Sequence, residues 1–433
     1  MQRIRTTQIG EHIGERVTLA GWLHQLRALG KINFVLVRDG YGVAQAVTQD
    51  ASALDALRNL QNETVIEIEG TVIAEPQAPG GIELHNIVVR VVTPVAETLP
   101  FPINKPVVNA SLDVFLDHAT VALRHPQRRA RWRIAAGIMA AYREFLSAEG
   151  FTEIQSPKLV ASATESGANV FAVDYFGQKA FLAQSPQFYK QIMVGVFERV
   201  FEIGPVFRAE PHDTARHINE YVSMDAEFGF IDNHFTVMAL LNRLIAHIIA
   251  RLNERYANEL AMTNPQLPIV PEKIPHLHFR DAQQYIFAHY GEDCRGEPDL
   301  APQHERWIGE WARETHGSDF VFVTGYPMVK RPFYTHPDPA DPTYSNSFDL
   351  LFRGTELVTG GQRLHRYEDY LAALARAKFP REPFEYYLEP MKYGMPPHGG
   401  FAIGLERFVM QLCGLSNVRE AALFPRDLHR LTP

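Results

Sequence analysis

The sequence predicts an α+β protein in two parts, a small barrel of short strands followed by a larger domain whose antiparallel β-sheet is flanked by helices. Three observations predict it. Short runs of alternating and β-branched residues fill the chain up to about residue 95, Pro100, Pro102 and Pro106 interrupt it, and apolar residues recur at helical spacing from Gln127 onward. The expected boundaries are 1–100 for the barrel, 101–127 for a hinge and 128–433 for the larger domain. With 433 residues, 46% hydrophobic and 21% charged, the chain has ample material for a core. Lys+Arg 42 against Asp+Glu 50 leaves a net charge of −8, so a nucleic-acid partner would be held by a local basic patch and not by overall charge. No apolar run reads as a membrane span and MQRIRTTQIGEHIG lacks the apolar core of a signal peptide, so no membrane partner and a cytoplasmic location are expected. Cys294 and Cys413 stand far apart without metal-ligand partners, which argues against a disulfide framework and a zinc site.

The barrel strands are expected at Arg16 to Trp22, Ile32 to Arg38, Val43 to Thr48, Thr64 to Ala74 and Ile82 to Val92, with a helix over Ala51 to Leu60. Five strands with a helix between the third and fourth is the order of an OB-fold, whose open face commonly binds single-stranded nucleic acid. Phe34 and Arg38 on one strand and Gln45 on the next offer a stacking ring and hydrogen-bonding groups there; Phe34 fits the barrel core equally well.

After the prolines, Ala135, Ile138, Tyr142 and Phe145 mark a helix that Gly150 ends, followed by a strand from Phe151 to Ile154 and by Pro157. Residues 234–260 and 300–315 read as amphipathic helices. The stretch from Val200 to Phe230 alternates with period two. Val222, Met224, Ala226, Phe228 and Phe230 share one face, Ser223, Asp225 and Glu227 the other; Phe201, Ile203 and Phe207 likewise oppose Glu202, Gly204 and Arg208. A polar loop, Ala209 to Asn219, makes this an antiparallel hairpin with one face on a core and one lined with charge. Arg208, Glu210, Arg216 and His217 form an ionic cluster that a purely structural hairpin does not need; the alternative is a rim of weak, solvated ion pairs.

Two further stretches carry chemistry. Asp349 and Glu356 flank Arg353-Gly354, so a tight hairpin would bring two acids together, an arrangement that suits Mg²⁺ bound partly by phosphate; two separate surface acids are the alternative. In PHGGFAIGLERFVMQLCG, Leu405, Phe408, Val409 and Leu412 form a buried helical stripe, Gly399 and Gly400 are expected to let the backbone approach a ligand, and Arg407 falls in the first turn. A first-turn arginine opposes the helix dipole and is better tolerated beside a bound anion. GGFAIG is neither a P-loop nor a dinucleotide fingerprint, and His212 and His217 lack zincin spacing.

FRAEPHDTARHINEYVSMDAEF resembles motif 2 of the class II aminoacyl-tRNA synthetases, GGFAIGLERFVM resembles motif 3, and the helix ending at Gly150 with its strand and Pro157 resembles motif 1. AQSPQFYKQ, GGQRLH and ALFPRDLHRLTP make the chain similar to the compact, archaeal-type aspartyl-tRNA synthetases over nearly its whole length. The resemblance implies an anticodon-binding OB-fold, a class II catalytic domain with an antiparallel sheet, a homodimer built on motif 1, and ATP, L-aspartate and tRNA as substrates. It places Arg208 on the aspartate α-carboxylate and ATP α-phosphate and Arg407 on the γ-phosphate. Glu210, Arg216, His217, Ile218, Gly404 and Glu406 fall around the rest of the nucleotide. Glu165, Ser185, Gln187 and Asp225 fall at the ammonium end, Lys190 and Arg363 at the side-chain carboxylate, and Asp349, Glu356 and Thr359 on Mg²⁺. Thr359 stands where the archaeal pattern usually has serine, and LDVFLDHATVALRHP replaces the usual arginine-rich hinge. A strictly tRNA(Asp)-specific aspartyl-tRNA synthetase, an asparaginyl-tRNA synthetase and a catalytically silent RNA-binding relative are the rival readings; the second is expected to carry an acid at the position of Lys190, the third to lack Arg208, Glu356 or Arg407. Strict anticodon recognition in such enzymes goes with tryptophan and lysine where this chain has His24 and Pro79. Both tRNA(Asp) and tRNA(Asn) are therefore expected as partners, with an amidotransferase to convert the misacylated product, and His24 in place of tryptophan is expected to shrink the surface that shapes the 77–81 loop.

Overall fold

The computed structural model describes residues 3–29, 32–161, 169–211, 213–263 and 266–432. Two compact units emerge, Met1–His125 and Pro126–Pro433.

In the first unit, β1 (Arg16–Leu29), β2 (Ile32–Arg38), β3 (Val43–Thr48), β4 (Val65–Ala74) and β5 (Ile82–Thr93) run in the order β1-β2-β3-β5-β4, and β4 pairs again with β1 to close the barrel. The helix α1 (Ala51–Leu57) sits between β3 and β4, with the Asp50 carboxylate capping it at the Ala53 N–H. Alternation places Leu19, Leu23, Val35, Val37, Ile66 and Ile68 in one buried cluster. Residues 101–125 are more than a hinge. Phe101, Ile103, Phe115 and Ala122 form a small core, the two phenylalanine rings meeting edge-on at 5.3 Å, over the short helices Leu112–Asp117 and Ala119–Ala122.

The second unit opens on α2 (Pro126–Ala148), which buries Ile134, Ile138, Tyr142 and Leu146 and is followed by Gly150 at φ 81. Its central sheet contains, among the described residues, β6 (Thr152–Glu153), β7 (Arg199–Phe207), β8 (Glu220–Gly229), β9 (His276–His278), β10 (Phe320–Thr324), β11 (Ser347–Phe352), β12 (Thr355–Gln362) and β13 (His398–Gly404), in the order β9-β10-β11-β12-β13-β8-β7-β6. All neighbours are antiparallel except the two outermost pairs. The expected β7–β8 hairpin is present, with Glu202 opposite Asp225 and Gly204 opposite Ser223. Phe201, Ile203, Met224, Ala226 and Phe228 face a core completed by α4 (His234–Arg255), the helix that follows α3 (Gln187–Phe197). Phe230 breaks the pattern: the strand stops at Gly229, and Phe230 adopts φ 59 and is 73% exposed. Phe207 is only half-buried and lies outside that core.

Two expectations change here. By length and composition α4 could cross a membrane, which the sequence reading overlooked; Leu241, Leu244, Ile245, Ile248 and Leu252 instead bury it in the core. The glycines at 399 and 400 serve the sheet interior. A Cβ on Gly400 would stand 2.1 Å from the Ala226 carbonyl oxygen and 2.2 Å from the Glu227 carboxylate, so the missing side chain makes room for that acid and not for a ligand.

Candidate active site

The face of the sheet opposite the α2–α4 core forms the floor of a cavity of about 470 Å³. Strand alternation brings Ser223 and Asp225 from β8, Thr359 from β12 and Ala402 from β13 to this one floor, while the ends of β7 and β13 deliver Arg208 and Arg407 to the walls. The cavity is lined by most of the residues singled out above, Ser185, Gln187, Lys190, Glu210, Arg216, His217, Ile218, Glu356, Arg363, Gly404 and Glu406 among them. Glu165 lies outside the described residues.

Charges are densest around Asp225. Lys190, on α3, donates from Nζ to Asp225 Oδ1 at 2.9 Å and to the Phe401 carbonyl at 3.2 Å, and stands 3.4 Å from Glu227. Arg363 donates from Nε to Glu227 Oε1 at 3.0 Å and from Nη2 to the Gly400 carbonyl at 3.1 Å. Glu227, on the polar face but without an assigned role in the sequence reading, thus joins the two cations. Burial pushes its carboxyl up, but Arg363, Lys190 and His398 together outweigh burial and hold it below the usual range. Lys190 and Arg363 both line the cavity, and Asp225 and Glu227 balance their charge. The buried Nε2 of Gln187 has no hydrogen-bond partner, and its residue lines the cavity, which suits a ligand acceptor.

At the other end, Arg353 and Gly354, at φ 48 and 71, make the tight turn that lays β11 on β12. Asp349 lies opposite Thr359, and a register shift after Leu350 sets Glu356 opposite Leu351. The Thr359 hydroxyl donates to Glu356 Oε1 at 3.3 Å, and Arg407 Nη1 donates to the same oxygen at 3.4 Å. Asp349 Oδ1 is buried without a hydrogen-bond partner, and burial pushes this carboxyl up against the pull of Arg331. An orphaned carboxylate oxygen beside a second acid and a hydroxyl is an all-oxygen donor set that fits Mg²⁺. Among the described residues no three His, Cys, Asp or Glu side chains cluster to hold a metal alone, so phosphate oxygens would have to complete the shell.

Packing also shows what the sequence reading missed. Arg331, in a short 3₁₀ turn region with no periodic signal, donates to Asp349 Oδ2 at 3.0 Å. Glu305, on α5 (Pro302–His316), receives Arg216, so that arginine is held by a side chain about ninety positions away. The loop before β8 is strapped by a late segment of the chain: the Val418 N–H donates to the Ala215 carbonyl at 2.8 Å, the Asn219 N–H to the Arg426 carbonyl at 2.7 Å, and Arg419 pairs with Asp213 and Asp427. Glu406, first residue but one of α6 (Leu405–Leu412), accepts the Val222 N–H on both oxygens at 3.1 Å, and burial raises its carboxyl to about 7.

In the barrel, Val35 and Val37 point to the core while Phe34, opposite Val47 and Arg27, is half-buried on the outer face near Gln45. Gln45 Nε2 donates to Glu83 at 2.8 Å. Arg38 is not available there as expected: it is 2% exposed and donates to both oxygens of Glu63 at 2.8 and 2.6 Å. His24 is half-buried, its charged neighbours being Arg38, Glu63 and His125, and burial above all lowers its basicity. It belongs to that polar cluster, whereas Pro79 begins a separate exposed turn between β4 and β5. Arg16 pairs with Thr71 and Trp22 with Val65, so His24 stands at the end of that strand pair away from the 77–81 turn, whose surface it was expected to shrink.

Residues 111–428 match the family described as tRNA synthetases class II (D, K and N), and residues 17–92 match the OB-fold nucleic acid binding domain. The chain is 45% identical to the aspartate–tRNA(Asp/Asn) ligase of Deinococcus radiodurans, over 100% of this chain and 99% of that one, and 44% identical to the enzyme of the same name from Thermus thermophilus, over 100% of both. The aspartate–tRNA(Asp) ligase of Pyrococcus horikoshii is 39% identical over 97% of each chain. Among solved structures, the asparaginyl-tRNA synthetase of Pyrococcus horikoshii with asparaginyl-adenylate superposes with a TM-score of 0.93 at 31% identity, covering 100% of both chains.

Proposed function

The chain belongs to the class II tRNA synthetases of the D, K and N family, and from that premise we propose that it joins L-aspartate to tRNA in two steps through an aspartyl-adenylate. One aspartate α-carboxylate oxygen attacks the α-phosphorus of ATP and pyrophosphate leaves; a hydroxyl of the tRNA 3′-terminal ribose then attacks the adenylate carbonyl and AMP leaves. No protein nucleophile is needed. The protein aligns the reactants and cancels charge around the phosphates, the task given to Arg208 and Arg407 on the cavity lining. Mg²⁺, held by Asp349, Glu356 and Thr359, would supply further charge neutralisation at the phosphates.

The observation that carries the choice of amino acid is Lys190 on the cavity lining with Arg363, at a position where an asparaginyl relative is expected to carry an acid; the two cations suit the extra carboxylate of aspartate better than the amide of asparagine. ATP–pyrophosphate exchange with each amino acid separately tests this. Aspartate should support exchange and asparagine should not; Lys190→Glu should nearly abolish the aspartate signal, and unchanged exchange by that variant would overturn the assignment.

The reading extends to both tRNA(Asp) and tRNA(Asn), whose anticodons differ only at the third base. Proline at 79 offers neither a side-chain donor nor an N–H to that base. Aspartylation of the two transcripts should be comparable, and His24→Trp with Pro79→Lys should restore a preference. Since His24 sits in the Arg38–Glu63 cluster, Pro79 carries the larger share. Aspartyl-tRNA(Asn) then calls for an amidotransferase as a partner, and the setting is the cytoplasm. A homodimer through α2 and β6 completes the proposal.

A further inference from the structure

We propose that Arg331 is a positioning residue that keeps Asp349 closed to Mg²⁺ until nucleotide arrives, so that the metal enters with ATP and not before it. The proposal rests on the reading of Asp349 and Glu356 as the metal-holding acids. Arg331 Nη2 donates to Asp349 Oδ2 at 3.0 Å, with both side chains about one-tenth exposed, and its guanidinium lies 4.1 Å from the centre of the Tyr326 ring. The cavity wall is made of Arg331, Glu356 and Thr359, with Asp349 set behind the arginine. A dication approaching the two acids therefore meets Arg331 on one and Arg407, 3.4 Å away, on the other, with Arg208 nearby. Before nucleotide binds, each of the two acids is thus already engaged by an arginine.

This arginine is also not used up by its present contact. Its Nε is buried without a hydrogen-bond partner, as is Asp349 Oδ1. Arg331 meets Asp349 through one nitrogen only, and one donor on a residue that lines the cavity and one acceptor on the buried acid beside it are left over. Triphosphate oxygens complete the fork of Arg331, its hold on Asp349 weakens, and both oxygens of that acid become available to the metal that ATP brings. The plane of Tyr326 gives the guanidinium a surface to stay on through the exchange.

The test is titration of MgCl₂, with Mn²⁺ paramagnetic resonance as a second probe, into the nucleotide-free full chain. Removing a unit charge next to the acids should tighten metal binding by Arg331→Gln at least about tenfold over the wild type. Arg331→Lys, which keeps the charge, should stay close to wild type, and Arg331→Gln with Asp349→Asn should lose the gain. With ATP present the advantage of Arg331→Gln should shrink or reverse. If Arg331→Gln, folded by circular dichroism, binds Mg²⁺ no tighter than wild type while Asp349→Asn still weakens Mg²⁺-dependent ATP binding, the proposal is wrong and the metal reading stands. If Asp349→Asn and Glu356→Gln both leave Mg²⁺-dependent ATP binding unchanged, the metal reading itself falls and takes the proposal with it.

Discussion

Two buried charge clusters of nearly equal burial behave as opposites. In the barrel, Arg38 and Glu63 are 2% and 1% exposed, Arg124 adds a second guanidinium to the same acid, and the Trp22 ring lies 4.8 Å from Arg38. In the catalytic unit, Lys190 with Asp225 and Arg363 with Glu227 are as dry, yet both cations line a cavity. The first cluster is a closed clasp. The second is a clasp with one open side. Burial alone therefore does not mark a charge as functional; an open side on a cavity does.

The comparison is broken most sharply by Glu356→Ala. Aspartate-dependent pyrophosphate exchange should fall about a thousandfold, roughly 4 kcal/mol, with the unfolding transition unmoved because Glu356 faces the cavity; normal exchange by the folded variant would remove the metal and phosphate roles assigned to this end. A second experiment sharpens the contrast. Glu63→Gln and Glu227→Gln each leave cations without their counter-ion and should each cost about 3 to 5 kcal/mol in urea unfolding. Only Glu227→Gln should raise the aspartate KM. A raised aspartate KM in Glu63→Gln would mean that the barrel clasp is not closed after all.

A further effect is expected in acid. Burial pushes His398 down to about 4 from an ordinary 6.5, and His234 likewise to about 4. The unfolded chain binds these protons from pH 6.5 downward while the folded chain refuses them until about 4, so stability is lost as pH falls through that window, at roughly 1.4 kcal/mol per pH unit for each histidine. Glu227, held below 4.5, contributes stability above that value and loses it at still lower pH. Urea midpoints between pH 7 and 5 should decline for the wild type and much less for His234→Gln with His398→Asn; parallel slopes would rule out these two groups.

What could be read from the chain follows from the range of the forces involved. The strands at Ile32 to Arg38 and Val43 to Thr48 were placed to the residue because period-two alternation and turn residues are local signals. Glu227 was visible on the polar face beside Asp225 and could have been named from that register alone. Arg331 could not: its turn has no period and its partner lies 18 residues on, across a strand. Glu305 reads as ordinary surface charge on an amphipathic helix until packing sets it against Arg216. Arg38 misled for the same reason in reverse, since the outward position was legible but the arrival of Glu63, from a loop residue at φ 75, was not.

The strap over the loop before β8 has a consequence in time. Arg419 reaches the Thr214 carbonyl across a separation of 205 residues. At ribosomal speeds of about 5 to 20 residues per second, the loop waits roughly 10 to 40 s between its own emergence and that of the segment that fastens it. During that interval the loop gains Glu305, which receives Arg216, but not yet the strap. A protein that supplies the ribosome with an amino acid thus remains idle until the ribosome has nearly finished making it.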